Sequence, residues 1–153
     1  MVSSYVTHPL EAHHLPLAYP LISAKSPQIT LATWVEFATR YVDGRAGARG
    51  SGAIGLRREG GYISGLAMHR IESELLHEKV LFVDLFMALD LVGQTAAAQM
   101  LFQTLEAIAQ GGDCSMMCVR LVDQTHLAAV AEAAGFATQD RLYCKPVARF
   151  VRH

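Results

Sequence analysis

The chain has 153 residues, with 13 Lys plus Arg against 14 Asp plus Glu, a formal charge of -1, 52% hydrophobic residues and only 18% charged ones. That content excludes intrinsic disorder and fits one domain whose core needs no disulfide or metal staple. The near-zero balance argues against nucleic acid held across a whole face and against electrostatic attachment to a membrane surface, while the low charged fraction leaves apolar surface for a homodimer interface.

Residues 1–10 have neither a basic segment nor a continuous apolar run, so no secretory signal is expected and the location is cytoplasmic by default. A short strand is expected around Tyr5 to Thr7. From Ala12 to Ala24, Leu15, Leu17, Ala18, Leu21 and Ile22 recur at helical spacing, with Pro16 and Pro20 capping or kinking the segment. Thr30 precedes the stripe Leu31, Trp34, Val35, Phe37, Ala38 and Tyr41, which predicts a helix over Thr30 to Val42 with Thr30 as its N-cap. Gly44 to Gly52 reads as a loop. Ala53 to Arg58 and Tyr62 to Ser73 read as two strands joined through Glu59-Gly60-Gly61.

Val80 to Leu89 is nearly continuous Val, Leu and Phe, the pattern of a central strand buried on both faces, and too short for the roughly 20 residues of a membrane span. An Ala/Leu-rich helix over Thr95 to Gln110 follows, with Gly111-Gly112 as its glycine stop. Cys114 to Val122 predicts a second central strand, Gln124 to Ala134 a helix ending at Gly135, and Phe136 to Val147 a last extended segment. Meandering strands followed by a strand-helix-strand unit give a mixed sheet covered by helices.

Cys114, Cys118 and Cys144 are odd in number and lack a CxxC pair, which suits reduced thiols. Of the seven histidines, His13 and His14 are adjacent. His69 and His77 share a strand face but stand roughly 26 Å apart at ~3.3 Å per residue. No metal site is expected from them.

The junction from Ala88 to Leu101 is the most informative stretch. A strand that enters a helix through small residues exposes the N–H groups of the first helical turn, which with the helix dipole suit phosphate oxygens; close packing of small alanines on the sheet is the other explanation. This stretch resembles the acyl-coenzyme A motif of the GNAT acetyltransferases, V-x-P-x-[YF]-R-G-x-G-[IVL]-[GA]-x-x-L. Ala88 stands at the Val, Gly93 at the Arg, Ala96 and Ala98 at the small positions and Leu101 at the Leu. Downstream, Gln124 to Phe136 is similar to N-x-x-A-x-x-x-Y-x-x-x-G-F, keeping Gly135-Phe136. The motif arginine and its leading glycine are absent, Gln124 replaces the asparagine, and Ala131 stands where the family places the tyrosine that protonates the departing thiolate.

The resemblance implies an α/β (α+β) domain with a GNAT-like mixed, mostly antiparallel central sheet flanked by helices, spanning residues 1–153. It implies acetyl-CoA or another acyl-CoA as cosubstrate and a small-molecule or protein amine as acceptor. Coenzyme contacts would come from Gly93, Gln94, Thr95, Ala96, Ala97 and Ala98 at the helix start, from Gln124, and from the backbone of Phe86, Met87 and Ala88 beside the pantetheine. Asp84, taken to share a face with Phe82 and Phe86, is the candidate base; pairing with Arg70 or Arg120 is the structural alternative. Glu72 and Glu74 are further carboxylates nearby, and Tyr143 is the candidate acid. Arg45, Arg49, Arg57 and Arg58 form a local basic cluster that could meet a phosphate. A non-catalytic acyl-CoA sensor or protein-interaction module of the same fold stays open beside the transferase.

Overall fold

In a computed structural model, which describes residues 5–43, 50–58, 60–89, 95–121, 125–138 and 144–148, five strands form one sheet in the order β1-β2-β3-β4-β5. These are β1 (Tyr5–Pro9), β2 (Gly52–Arg58), β3 (Ile63–Glu74), β4 (Glu78–Ala88) and β5 (Met116–Val119). The first four meander antiparallel, and β5 returns parallel to β4 after a helix. One face of the sheet carries α1 (Leu15–Lys25) and α2 (Leu31–Val42); the other carries α3 (Ala96–Gly111) and α4 (Thr125–Ala133).

Local chemistry places each helix. Pro16 sits in the first turn of α1, where no N–H is missed, and Pro20 is accommodated inside the helix. Leu15, Ala18, Leu21 and Ile22 pack with Trp34, Ala38 and Tyr41 of α2 over Leu66 and Met68 of β3. Trp34 donates its indole N–H to the Leu15 carbonyl at 2.7 Å, which joins the two helices. Thr30 caps α2 as predicted, its Oγ1 accepting the Thr33 N–H at 3.1 Å. On the other face, Leu101, Phe102 and Leu105 of α3 pack with Leu81, Val83 and Phe86 of β4, and Phe86 stacks on Phe102 with centroids 4.5 Å apart.

The α3 stop differs from the predicted one. The residue in the left-handed region is Asp113 (φ 58), whose successor Cys114 donates its N–H to Ala109 O at 2.9 Å. A Cβ at Gly112 would lie 2.7 Å from Ile71 Cδ1, so the end of that side chain would have to shift to admit one. α4 does end as read, on Gly135 (φ 98), with the Phe136 N–H closing on Ala131 O at 3.0 Å.

Three further expectations are corrected. Of the apolar run Cys114 to Val122, the described residues form a strand over Met116–Val119, shorter than expected, and β5 is the last strand of the described sheet. β4 pairs with it only from Val80 to Val83, although β4 itself runs on to Ala88. In the expected last extended segment, Phe136 to Val147, the described residues form no strand, and 139–143 lie outside the described residues. Third, β4 does not keep one alternation: Met68 pairs with Leu85 and His69 with Val83, so Asp84 is an extra residue, a β-bulge. Leu81, Val83, Phe86 and Ala88 therefore face α3, whereas Leu85 and Met87 face α1 and α2. Asp84 and Phe86 are on opposite faces, because the bulge inverts the phase between them.

No helix among the described residues is long and apolar enough to cross a membrane. Leu101 is fully buried where α3 lies on the sheet, close to Gly65, at which a Cβ would meet Leu101 Cδ1 at 3.1 Å. Leu101→Ala is expected to lower stability by about 3 kcal/mol in denaturant unfolding. A loss within ~0.5 kcal/mol, as at a surface position, would contradict this packing.

Candidate functional site

The bulge turns Asp84 toward α2, into an otherwise apolar layer. There its Oδ2 accepts two hydrogen bonds, from the Tyr41 hydroxyl at 2.6 Å and from Arg70 Nε at 2.8 Å. Arg70 also reaches Glu72 Oε1 through NH1 at 3.3 Å, and its guanidinium lies 4.6 Å from the centre of the Phe82 ring. Register explains the meeting: Arg70 is paired with Phe82 on β4, two residues before the bulge, and Tyr41 is on the buried stripe of α2. Asp84 Oδ1 has no hydrogen-bonding protein partner among the described residues, and the side chain is 27% exposed, so one oxygen is held while the other can meet a ligand.

The electrostatics follow from burial and pairing. Burial first, then the hydrogen bond and charge of Asp84, push the Tyr41 phenol up to about 12. Burial acts to lower Arg70, but the hydrogen bonds and charges of Asp84 and Glu72 hold it above its ordinary value. Arg70 is thus a fixed cation between two carboxylates, and Tyr41 a fixed donor. The alternative reading of Asp84, pairing with Arg70, is the arrangement found; Arg120 instead donates its backbone N–H to Val83 O at 3.2 Å.

Val83 is the last β4 residue paired with β5, whereas β4 continues through Phe86, Met87 and Ala88. Beyond Val83 the two strands have no further pairing among the described residues. All three side chains are buried, so what they offer there is backbone. α3 begins just past the end of β4. Thr95 makes no side-chain cap, its Oγ1 taking the Gln99 amide at 3.1 Å instead, and the first turn has no acidic residue. Ala96 is exposed, and Ala97 and Ala98 are fully buried. Thr95 therefore leaves the helix start uncapped, and that start is positive by dipole.

The structure brings Asp84, Phe86, Met87 and Ala88 onto one strand and sets Thr95, Ala96, Ala97 and Ala98 at the helix start that follows it. Gly93, Gln94, Gln124 and Tyr143 lie outside the described residues, as do Arg45 and Arg49. Glu74 accepts the His77 N–H at 3.0 Å in the β3–β4 turn and takes no part in the Asp84 cluster, while Arg58 lies against the Tyr5 ring. Ala131 is buried and packs in the α3/α4 core. A cleft of about 230 Å³ opens between α3 and α4, lined by Gln99, Phe102, Gln103, Glu106, Val130 and Phe136 among others. A wider groove of about 650 Å³ runs past β5 and α4, and neither depression is lined by Asp84. Tyr41 is the site residue that sequence reasoning missed: its place on the α2 stripe marked it as core, and only the bulge brings a carboxylate to it.

This arrangement is the GNAT fold, as the resemblance implied. The sequence matches no family model and no curated protein. Among solved structures, aminoglycoside N-acetyltransferase AAC(6')-Iy in complex with CoA superposes with a TM-score of 0.77 at 15% identity, over 96% of this chain and 97% of that one. AAC(6')-Ih from Acinetobacter baumannii gives 0.73 at 15% identity, over 95% and 100%. A ribosomal-protein-alanine N-acetyltransferase from Brucella melitensis gives 0.69 at 17%, over 96% and 99%. At these identities the likeness is one of fold.

Tyr41→Phe is expected to cost about 1–2 kcal/mol near neutral pH, the size of a hydrogen bond to a charged group. Because the folded-state value of Tyr41 is raised from 10.0 to about 12, its contribution is complete below pH 10.0 and lost as pH rises through about 12. Urea midpoints across that window should fall for the parent and fall less for Tyr41→Phe; parallel curves would remove the Tyr41–Asp84 bond from the account.

Proposed function

We propose that the protein is an acyl-CoA dependent N-acyltransferase acting on an amine, with Asp84 at the reacting end and the start of α3 at the coenzyme pyrophosphate. The observation that carries this reading is the placement, on one strand and the helix after it, of a carboxylate held through one oxygen, of the end of β4 beyond its pairing with β5, and of a helix start with a positive dipole. The fold neighbours support it, since two of them are described in complex with CoA or a CoA bisubstrate analogue.

In this reading the thioester lies beside Phe86, Met87 and Ala88, and the pyrophosphate meets the N–H groups from Gln94 to Ala98, with Gly93 and Gln124 flanking. The amine attacks the thioester carbon, its proton passes to Asp84 Oδ1 directly or through water, and the carbon–sulfur bond breaks. Tyr41 and Arg70 position Asp84 by holding Oδ2. Tyr143 is assigned the proton for the departing thiolate. The acceptor is a small-molecule or protein amine, and Leu75 and Leu76, 96% and 79% exposed at the β3–β4 turn, support association into a dimer.

A second reading is favoured by Ala131, which is buried and carries no phenol where the resemblance places the acid. The protein would then bind an acyl-CoA as a sensor or interaction module without turnover. Calorimetric titration with acetyl-CoA tests both readings, and absence of heat and of thermal stabilisation at millimolar ligand would sink both.

If binding is found, Asp84→Asn should slow acetyl transfer to a panel of amines by about 10²-fold or more while leaving coenzyme affinity within a few fold. An unchanged rate removes Asp84 from the chemistry. Ala96→Glu separates ligand binding from folding. An added carboxylate at an exposed first-turn position suits the helix dipole, so stability should hold or rise by about 0.3–1 kcal/mol. The same charge repels a pyrophosphate, so acetyl-CoA affinity should fall at least tenfold; equal affinity would move the phosphate away from α3.

A further inference from the structure

Where β1 passes into α1, a short 3-10 turn (Ala12–His14) gathers groups that the Asp84 site does not use. The donor atoms of Glu11, His13 and His14 lie within 4.8 Å of one another. His13 Nδ1 is 3.5 Å from Glu11 Oε2, and the His13 and His14 ring centroids are 4.0 Å apart. His8, at the end of β1, brings a third imidazole to 5.1 Å from His14. We propose that Glu11, His13 and His14 bind a divalent metal ion of the zinc class, with His8 as a fourth donor within reach.

The donor set suits such an ion, since imidazole nitrogen and carboxylate oxygen are its ordinary non-thiol ligands. The spacing suits it as well. Two donors each about 2.0–2.1 Å from a tetrahedral zinc are about 3.4 Å apart, close to the Glu11–His13 separation already present. Bringing in His14 requires a shift of roughly an ångström, which exposed side chains make by rotation, and Glu11 and His13 are 69% and 68% exposed.

Protons are distributed as ligation requires. His8 Nδ1 lies 3.1 Å from Pro9 O, which only accepts, so His8 keeps its proton there and Nε2 carries a bare lone pair. That Nε2 is shielded from solvent and has no hydrogen-bond partner among the described residues. His14 Nδ1 accepts the Glu11 N–H at 2.9 Å, so it too presents a lone pair, which the ion would take over while the Glu11 N–H turns to water. Metal binding would thus tie β1 to the start of α1, whose Leu15 carbonyl holds Trp34 of α2.

The test uses the full chain freed of metal by chelation, with Cys114, Cys118 and Cys144 changed to Ser so that no thiol competes. Titration with zinc chloride by calorimetry should give one site per chain at micromolar zinc and raise the melting temperature. Cobalt(II) should give visible bands of tetrahedral N/O coordination. His13→Asn and Glu11→Gln, both at exposed positions outside the core, should each weaken zinc at least tenfold and abolish the cobalt bands without altering the metal-free melting temperature. Unchanged zinc affinity in the Glu11→Gln, His13→Asn double variant, or no binding at micromolar zinc by the parent, overturns the site. Neither result touches the acyltransferase reading, which uses none of these residues.

Discussion

A single extra residue in β4 decides what each face of the sheet can do. Without the bulge at Asp84, strict alternation would keep Asp84 and Phe86 on one side and Leu81 and Val83 on the other, so either the carboxylate would enter the α3 layer beside Phe102 or Phe86 would leave it. With the bulge, Phe86 stacks on Phe102 and Asp84 turns to Arg70 and Tyr41. The same insertion falls where pairing with β5 ends, at Val83, so the local kink and the end of that pairing coincide. Packing on one face and a polar cluster on the other have one cause.

The polar cluster is stable because it is nearly balanced. Glu72 and Asp84 share one guanidinium, and the ring of Phe82 covers that guanidinium from one side. Removing Arg70 would leave two carboxylates facing a half-buried layer, whereas removing Tyr41 leaves the ion pair intact and only frees the carboxylate to rotate. The two neighbours of Asp84 are therefore not equivalent: Arg70 makes its charge tolerable, and Tyr41 fixes its direction. A catalytic carboxylate needs both, since proton transfer depends on an oxygen placed within hydrogen-bond reach of the amine.

What could be read in the sequence was local. Thr30 as a cap, the α2 stripe and the Gly135 stop are each set by residues within one turn of one another, and each is where the residue types place it. The start of α3 at Ala96, next to Thr95, was legible in the same way. The bulge was not, because its extra residue needs no glycine or proline to mark it, and a lone Asp84 in the apolar run Val80 to Leu89 does not show that the alternation changes phase there. Tyr41 was missed for the same reason, since its partner is 43 residues away and is aimed at it only by that phase change. The length of β5 was illegible from Cys114 to Val122 alone, because it depends on where pairing with a distant strand ends, here at Val83 although β4 runs on to Ala88.

The departures from the acyl-coenzyme A motif take a definite physical meaning against this geometry. The positions where small residues matter, Ala97 and Ala98, are fully buried against the sheet, so their size serves the approach of α3 to β3, which Gly65 also permits. Close approach fixes the helix start at the end of β4 whether or not an arginine or glycine precedes it. The phosphate reading therefore depends on where α3 begins more than on the identity of the residues before it, since backbone N–H groups and the helix dipole are supplied by any sequence that folds this way. The acid is different, because a proton donor is a side chain and Ala131 cannot supply one. Binding is thus the function that a divergent sequence on this fold retains most easily, whereas turnover, in the proposed reading, would need the carboxylate at the bulge and a phenol elsewhere in the chain.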